Sequence, residues 1–299
     1  MNNKFKSPKS EGIVDCKRRG LADRNFRGDT EVKIIIAKNI MSLIRLENKI
    51  LSDNYNYIIR CNETNSFALI DPLFIDDIEH VLRNAQGDVC YIINTHHHVD
   101  HIYGNCYFKS KYPHAKIAAF DKNLVDNIDI ELKDDVVLEL GSLKLRIKHC
   151  PGHTEDHICI EYDDVDKGYF IAGDLLFNGG IGNIKNGGDI KKLFITVDGV
   201  KDKIHDDCYL CPGHDYFLKN WVFSKYVMAE RHELFDFYVK YSIKHSSNQL
   251  MTIGEEKNYN PFFNLENKEL KNKVEDICKK SISSKFELFK ALRELRDDF

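Results

Sequence analysis

The chain has 299 residues, of which 42% are hydrophobic and 30% charged, with a formal net charge of −4. That size supports one large or two modest domains with a sizeable core, and the faintly acidic balance gives no electrostatic footprint for nucleic acid. No window approaches the ~20 apolar residues of a membrane span.

The first 30 residues are polar and basic, with Lys17-Arg18-Arg19 and no apolar run of the kind a secretory signal needs. Glu11, Asp15, Asp23 and Asp29 argue against a transit peptide, so this segment reads as a disordered leader, with organelle targeting as the alternative. Strand-forming runs follow at residues 31–36, 42–47, 55–61 and 67–71, in hairpin-like succession. Asp76, Ile78, Val81 and Leu82 mark an amphipathic helix, and Val89-Cys90-Tyr91-Ile92-Ile93 is a buried strand ending at about Asn94. Further strands are expected at 116–120 and, around the turn signal Gly141-Ser142, at 136–140 and 143–148. From Phe217 the apolar spacing becomes helical through Trp221, Val222, Tyr226, Val227, Leu234, Phe235, Phe237, Tyr238 and Tyr241. A last helix at 285–296 carries Phe286, Phe289, Leu292 and Leu295 as its apolar stripe. The domain expectation is a leader at 1–30, a catalytic domain at 31–216 and a helical domain at 217–299.

Chemistry concentrates in Thr95-His96-His97-His98-Val99-Asp100-His101, directly after the 89–93 strand. In extended backbone His96 and His98 leave one face and His97 the other, which assigns His97 to packing or to supporting a ligand. Asp100 and His101 fall where the chain should turn into a helix. Four donors from one segment exceed what a single tetrahedral metal takes there, so two metals are the natural reading. More donors close later apolar stretches: His153 in Cys-Pro-Gly-His-Thr, Asp174 in Phe-Ile-Ala-Gly-Asp and His214 in Cys-Pro-Gly-His-Asp. Taken singly, a histidine after Pro-Gly is ordinarily a loop residue; in this series the three are read as ligands. The remaining histidines, 80, 114, 149, 157, 205, 232 and 245, are assigned to surface or core, none having a partner at ligand spacing. Nine scattered cysteines, an odd number, point to reduced thiols and a cytoplasmic default. Cys208-Tyr209-Leu210-Cys211, inside an apolar strand, reads as packing.

This series resembles the metallo-β-lactamase superfamily. The resemblance implies His96, His98 and His153 on one metal, Asp100, His101 and His214 on the other, and Asp174 bridging. It also implies an α/β fold, two mixed sheets with helices outside in a four-layer αββα sandwich, followed here by a C-terminal α-helical domain. Within the superfamily, Leu51-Ser52-Asp53-Asn54-Tyr55-Asn56-Tyr57, Tyr259-Asn260-Pro261-Phe262 and Gly213-His214-Asp215-Tyr216 resemble the glyoxalase II (hydroxyacylglutathione hydrolase) family over about residues 32–299.

That family implies hydrolysis of 2-hydroxyacyl thioesters such as S-lactoylglutathione. It implies two divalent cations, zinc first with iron or manganese as alternatives, and Asp100 and Asp174 as catalytic carboxylates. Asp215 is a candidate support for a ligand imidazole. The expected partner is a small-molecule thioester, with no nucleic acid and no membrane, acting on a monomer. At the thiol-binding positions Tyr216 is kept, but Asn183, Lys185 and Asn264 stand where family members carry lysine, tyrosine and arginine; Lys268 is the nearby cation. The loss of charge there predicts a non-standard thiol carrier. A one-iron persulfide dioxygenase, a lactonase or phosphodiesterase of this fold, and an inactive paralogue are the competing readings.

Overall fold

The computed structural model describes residues 31–37, 41–47, 53–163, 168–228, 232–246 and 249–299; the leader expected at 1–30 lies outside them. The first sheet has seven strands in chain order. β1 (Glu31–Ala37), β2 (Met41–Glu47), β3 (Tyr55–Cys61) and β4 (Ser66–Ile70) are antiparallel neighbours. β5 (Asp88–Ile93), β6 (Lys116–Ala119) and β7 (Ile130–Glu131) then join in parallel. The switch follows from the connections: a short turn suffices between antiparallel strands, whereas parallel ones need a crossover. α1 (Ile75–Ala85) supplies the crossover before β5, and α2 (Val99–Ile102) with α3 (Asn105–Lys111) the one before β6.

The second sheet has the order β14-β11-β10-β9-β8. β8 (Val137–Leu140) and β9 (Leu143–His149) are the expected hairpin, closed by Gly141 at φ +59. β10 (Ile158–Asp163) and β11 (Gly168–Gly173) extend it antiparallel. β14 (Tyr209–Pro212) pairs parallel to β11 after a crossover containing α4 (Ile190–Lys203). A small hairpin, β12 (Leu176–Phe177) and β13 (Gly180–Ile181), projects beyond β11.

Alternation along the strands builds the layers. On the inward faces Leu43, Tyr57, Ile59, Ala68 and Ile93 of one sheet meet Leu145, Ile147, Ile160 and Ile171 of the other. On the outward face of the first sheet Ile44, Leu46, Ile58, Phe67 and Leu69 pack on Ile78 and Leu82 of α1 and Phe108 of α3. Outside the second sheet Phe170, Ala172 and Leu210 pack on Leu193 and Val197 of α4 and on Phe262, Phe289 and Leu292. The result is the expected αββα sandwich, and every described residue of β2 is buried because both faces of its sheet are covered.

The helical third comprises α5 (Phe217–Val227), α6 (His232–Ser246), α7 (Ile253–Tyr259), a 3₁₀ turn (Pro261–Phe263), α8 (Lys268–Cys278) and α9 (Lys285–Asp298). Its starts are local: Thr252 and Glu255 form a reciprocal cap on α7, Asn267 caps α8 and Ser284 caps α9. The helices grip the β12–β13 hairpin. Asn178 Nδ2 and the Gly179 N–H donate to the two carboxylate oxygens of Glu256 (2.9 and 2.7 Å), Asn260 Nδ2 donates to the Gly180 carbonyl, and Arg293 Nη1 to that of Ile181 (2.9 Å).

Within the helical stretch Val222, Tyr226 and Phe235 face solvent, and on α9 Leu288 and Arg293 are buried alongside Phe289 and Leu292 of the expected stripe. Cys208 and Cys211 are both buried, as packing requires. No helix among the described residues is long and apolar enough to cross a membrane.

Candidate metal centre

The seven donors come from the ends of β5, β11 and β14 and from the β9–β10 loop, and they converge. His96 Nε2 and His153 Nε2 lie 2.9 and 3.1 Å from His98 Nδ1. His101 Nε2 lies 3.4 Å from His214 Nε2, and Asp100 Oδ2 is 3.5 and 3.4 Å from these two nitrogens. Asp174 sits between the sets, with Oδ1 3.5 Å from His101 Nε2 and Oδ2 3.3 and 3.6 Å from His214 Nε2 and His153 Nε2. Two overlapping groups of potential ligands result, His96-His98-His153 and Asp100-His101-His214, with His96, His101 and Asp174 also within reach of one another.

Local structure explains the aim. β5 ends one residue before Asn94, whose buried amide donates to the His101 carbonyl at 2.8 Å and fixes the turn into α2. That turn swings Asp100 and His101 back over His96. Asp71, after β4 and at φ +50, accepts the Thr95 N–H, the Thr95 hydroxyl and His101 Nδ1–H, at 2.8, 2.7 and 2.8 Å. The remote nitrogens of three further imidazoles are also occupied: His153 Nδ1 faces the Asn183 carbonyl at 2.7 Å, His98 Nε2 that of Asn186 at 3.3 Å and His96 Nδ1 the Thr95 hydroxyl at 3.0 Å. Fixing the far nitrogen leaves the near one free to coordinate. Gly213 is required at its place because a Cβ would lie 2.4 Å from Asp174 Oδ1.

The electrostatics fit cations. Burial, then the neighbouring rings His101, His157, His153 and His98, push the His96 imidazole well below its ordinary value, and burial lowers His98 and His153 as well. That set is unprotonated, as ligands must be. In the other set burial is overridden by charge: Asp174, Asp71 and Asp100 lift His101 to about 9, while Asp174 and Asp100 lift His214 to about 10, so these rings hold protons that a bound cation would displace. Against the opposing effect of burial, the same imidazoles hold Asp174 and Asp100 far below the usual carboxylate range. Buried Asp174 Oδ1 and His214 Nδ1 have no hydrogen-bond partner. A nitrogen-and-carboxylate donor set with an unmet buried oxygen at its centre suits two divalent cations.

Several contributors carry no sequence signal of their own. Asn54 Nδ2 donates to Asp100 Oδ2 at 2.9 Å, so the Asp53-Asn54-Tyr55 segment reaches the site. His97 turns away and meets Asp156 at 2.7 Å. Two histidines set aside above do have partners in space. His157 accepts the Asp174 N–H, and His245 Nε2 lies 3.5 and 3.6 Å from Glu47 and Asp215. The Arg45 guanidinium 3.9 Å from Glu47 makes the latter group an ion network. Asp215 belongs to that network, accepting from the Tyr241 hydroxyl at 3.1 Å and facing the His245 ring rather than a ligand imidazole.

Of the thiol-side candidates, Tyr216 stacks on the His214 ring (centroids 4.9 Å apart). Asn183 presents its carbonyl to His153 and its side-chain oxygen to the Lys185 N–H. Lys185 is exposed beside Asp297, Asn264 donates its amide to the Lys257 and Asn260 carbonyls, and Lys268 is exposed at the start of α8. Arg296 interacts electrostatically with Tyr216 and donates Nε–H to Asn220 at 3.1 Å.

The model of the metallo-beta-lactamase superfamily matches residues 53–214, and that of the hydroxyacylglutathione hydrolase C-terminus matches 215–299. A Schizosaccharomyces pombe protein named as a probable hydroxyacylglutathione hydrolase is 30% identical over 233 residues, 73% of this chain and 85% of its own. The hydroxyacylglutathione hydrolase of Francisella tularensis subsp. novicida is 29% identical over 250 residues, 82% of this chain and 95% of the relative. Among solved structures, ETHE1 from Myxococcus xanthus shares the fold at a TM-score of 0.61 and 20% identity, over 85% of this chain and 90% of that one. Two family models in tandem, with relatives aligned along most of their length, place this chain in the metallo-beta-lactamase superfamily and, within it, in the hydroxyacylglutathione hydrolase family.

Proposed function

We propose that the protein is a thioester hydrolase working with two divalent cations on 2-hydroxyacyl thioesters of the S-lactoylglutathione type. The observation that carries the reading is the pair of ligand groups sharing Asp174. His96, His98 and His153 would hold one cation, Asp100, His101 and His214 the other, and Asp174 both. When bound, such a pair lowers the pKa of water toward neutrality and polarises the acyl carbonyl.

The chain's own residues do the positioning. Asp71 fixes His101 through Nδ1, Asn54 fixes Asp100, and the Asn183 carbonyl fixes His153. A departing thiol has a pKa near ~8.5, so the chain needs no strong general acid. Zinc is the first expectation for both positions, with iron or manganese as alternatives, since this donor set accepts all three. The Asp100-His101-His214 group favours a two-metal hydrolase over a one-iron dioxygenase. Metal analysis beside turnover of S-lactoylglutathione tests this: two equivalents with hydrolysis are expected, and one iron with oxygen uptake on a thiol persulfide would reject it.

The thiol carrier should meet Tyr216, Asn183 and Lys185, with Arg296, held by Asn220 and within electrostatic reach of Tyr216, as an additional cation. Asn264 is committed to backbone carbonyls and Lys268 points to solvent, so neither offers a clamp without rearrangement. A carrier other than simple glutathione follows. Turnover of lactoyl esters of glutathione, of a polyamine-linked glutathione and of a simple thiol distinguishes these, and equally efficient use of the plain glutathione ester would reject the altered carrier.

A further inference from the structure

We infer that His157 is a positioning residue for Asp174, holding the backbone from which the shared carboxylate projects. Asp174 follows the last residue of β11, where the pairing with β14 shifts register, so the sheet ladder does not secure its amide. His157 does: its Nε2 accepts the Asp174 N–H at 3.1 Å from a wholly buried ring. An imidazole nitrogen that accepts carries no proton, so the ring hydrogen is on Nδ1.

That Nδ1 has no partner. An unmet buried N–H is destabilising, and a phenyl or leucyl side chain would fill the same space without it. What the imidazole adds over them is the acceptor at Nε2. Its surroundings make the ring a fixed wall. The His157 carbonyl accepts the Cys150 N–H and the Ile158 N–H donates to Thr95, each at 2.8 Å. The ring lies on His96, with centroids 5.1 Å apart and planes 28° from parallel. Gly173, at φ +48, lets the chain press against this wall: a Cβ there would come within 2.7 Å of the Thr95 hydroxyl and 2.9 Å of His157 Nε2.

The inference rests on the reading of Asp174 as the shared ligand, and the measurements separate the two. In metal-free, 15N-labelled wild-type protein, long-range 15N–1H correlation should show His157 as the Nδ1–H tautomer. An Nε2–H or doubly protonated ring overturns the inference, and this measurement needs no variant to fold. In His157→Phe loaded with zinc, chelator competition should show the second equivalent bound roughly 10–100-fold more weakly. The kcat should fall with KM for the thioester unchanged, and His157→Gln, whose side-chain oxygen can accept the same N–H, should recover part of both. Wild-type zinc affinity in His157→Phe overturns the inference. Asp174→Asn is the control: undiminished zinc binding there removes the shared-ligand reading itself, whereas loss there with none in His157→Phe removes only the role of His157.

Discussion

Asp71 takes three hydrogen bonds at a backbone conformation that few non-glycine residues adopt, φ +50, and it is the only contact between the β4 end and a ligand imidazole that the described hydrogen bonds contain. Asp71→Asn must turn an NH2 toward either Thr95 or His101, which loses the charge-assisted bond and leaves two donors opposed. The expected result is roughly 10–100-fold weaker metal binding, read by chelator competition, with KM little changed. Asn54→Ala removes the amide from a buried edge of Asp100. Because a hydrogen bond to a charged group is worth about 1.5–3 kcal/mol, kcat/KM for the thioester should drop about tenfold or more; an unchanged value would mean that Asp100 is held elsewhere. The ligands themselves were legible because they follow apolar, strand-forming stretches in the chain. Their partners were not: Asp71 is 30 positions from His101 and His157 is 17 from Asp174, separations that no helical or strand period encodes.

Between elements, the decisive contact is α7 and the 3₁₀ turn against the β12–β13 hairpin. Burial raises the Glu256 carboxyl to about 7, against the opposing N–H donors of Asn178, Gly179 and Asn260. The native state therefore holds this proton more tightly than the unfolded chain, whose carboxyl titrates near 4.5. Its contribution to stability is full below about 4.5, declines as pH rises toward about 7 and is constant above. Glu256→Gln abolishes the titration, so the difference in Tm between wild type and variant should move against wild type from about pH 5 to 7.5. A flat difference would place the titration outside that window. Asn264→Ala should cost about 1–2 kcal/mol in urea unfolding, because its amide satisfies two carbonyls at the end of α7. α4 shows why some elements escape a reading by pattern. Asp189 caps it, but Ile195, Thr196 and Val197 are β-branched and Gly199 lies inside, so local preference speaks against the helix that packing on the second sheet imposes.

At the scale of the whole molecule, the apolar clusters between and outside the sheets contain none of the seven metal donors. Chelation should leave the far-ultraviolet circular dichroism intact while lowering Tm. Zinc at about 100 times its Kd contributes roughly 2.7 kcal/mol, or about 4 °C for a chain of this size; a collapse of secondary structure on chelation would contradict this. The amino-acid sequence by itself determined which side chains can bind metal, the strand succession that carries them, and the helical character after Phe217, because these follow from side-chain chemistry and from periods of two and 3.6 residues. Only the tertiary structure decided which imidazoles are neutral and which are charge-paired. It also committed Asn264 and Asp215 to structural bonds, and brought Arg296 onto Asn220 and His157 beneath Asp174. Those outcomes depend on burial and on distances between segments remote in the chain, which exist only once the two sheets and the helices have closed on one another.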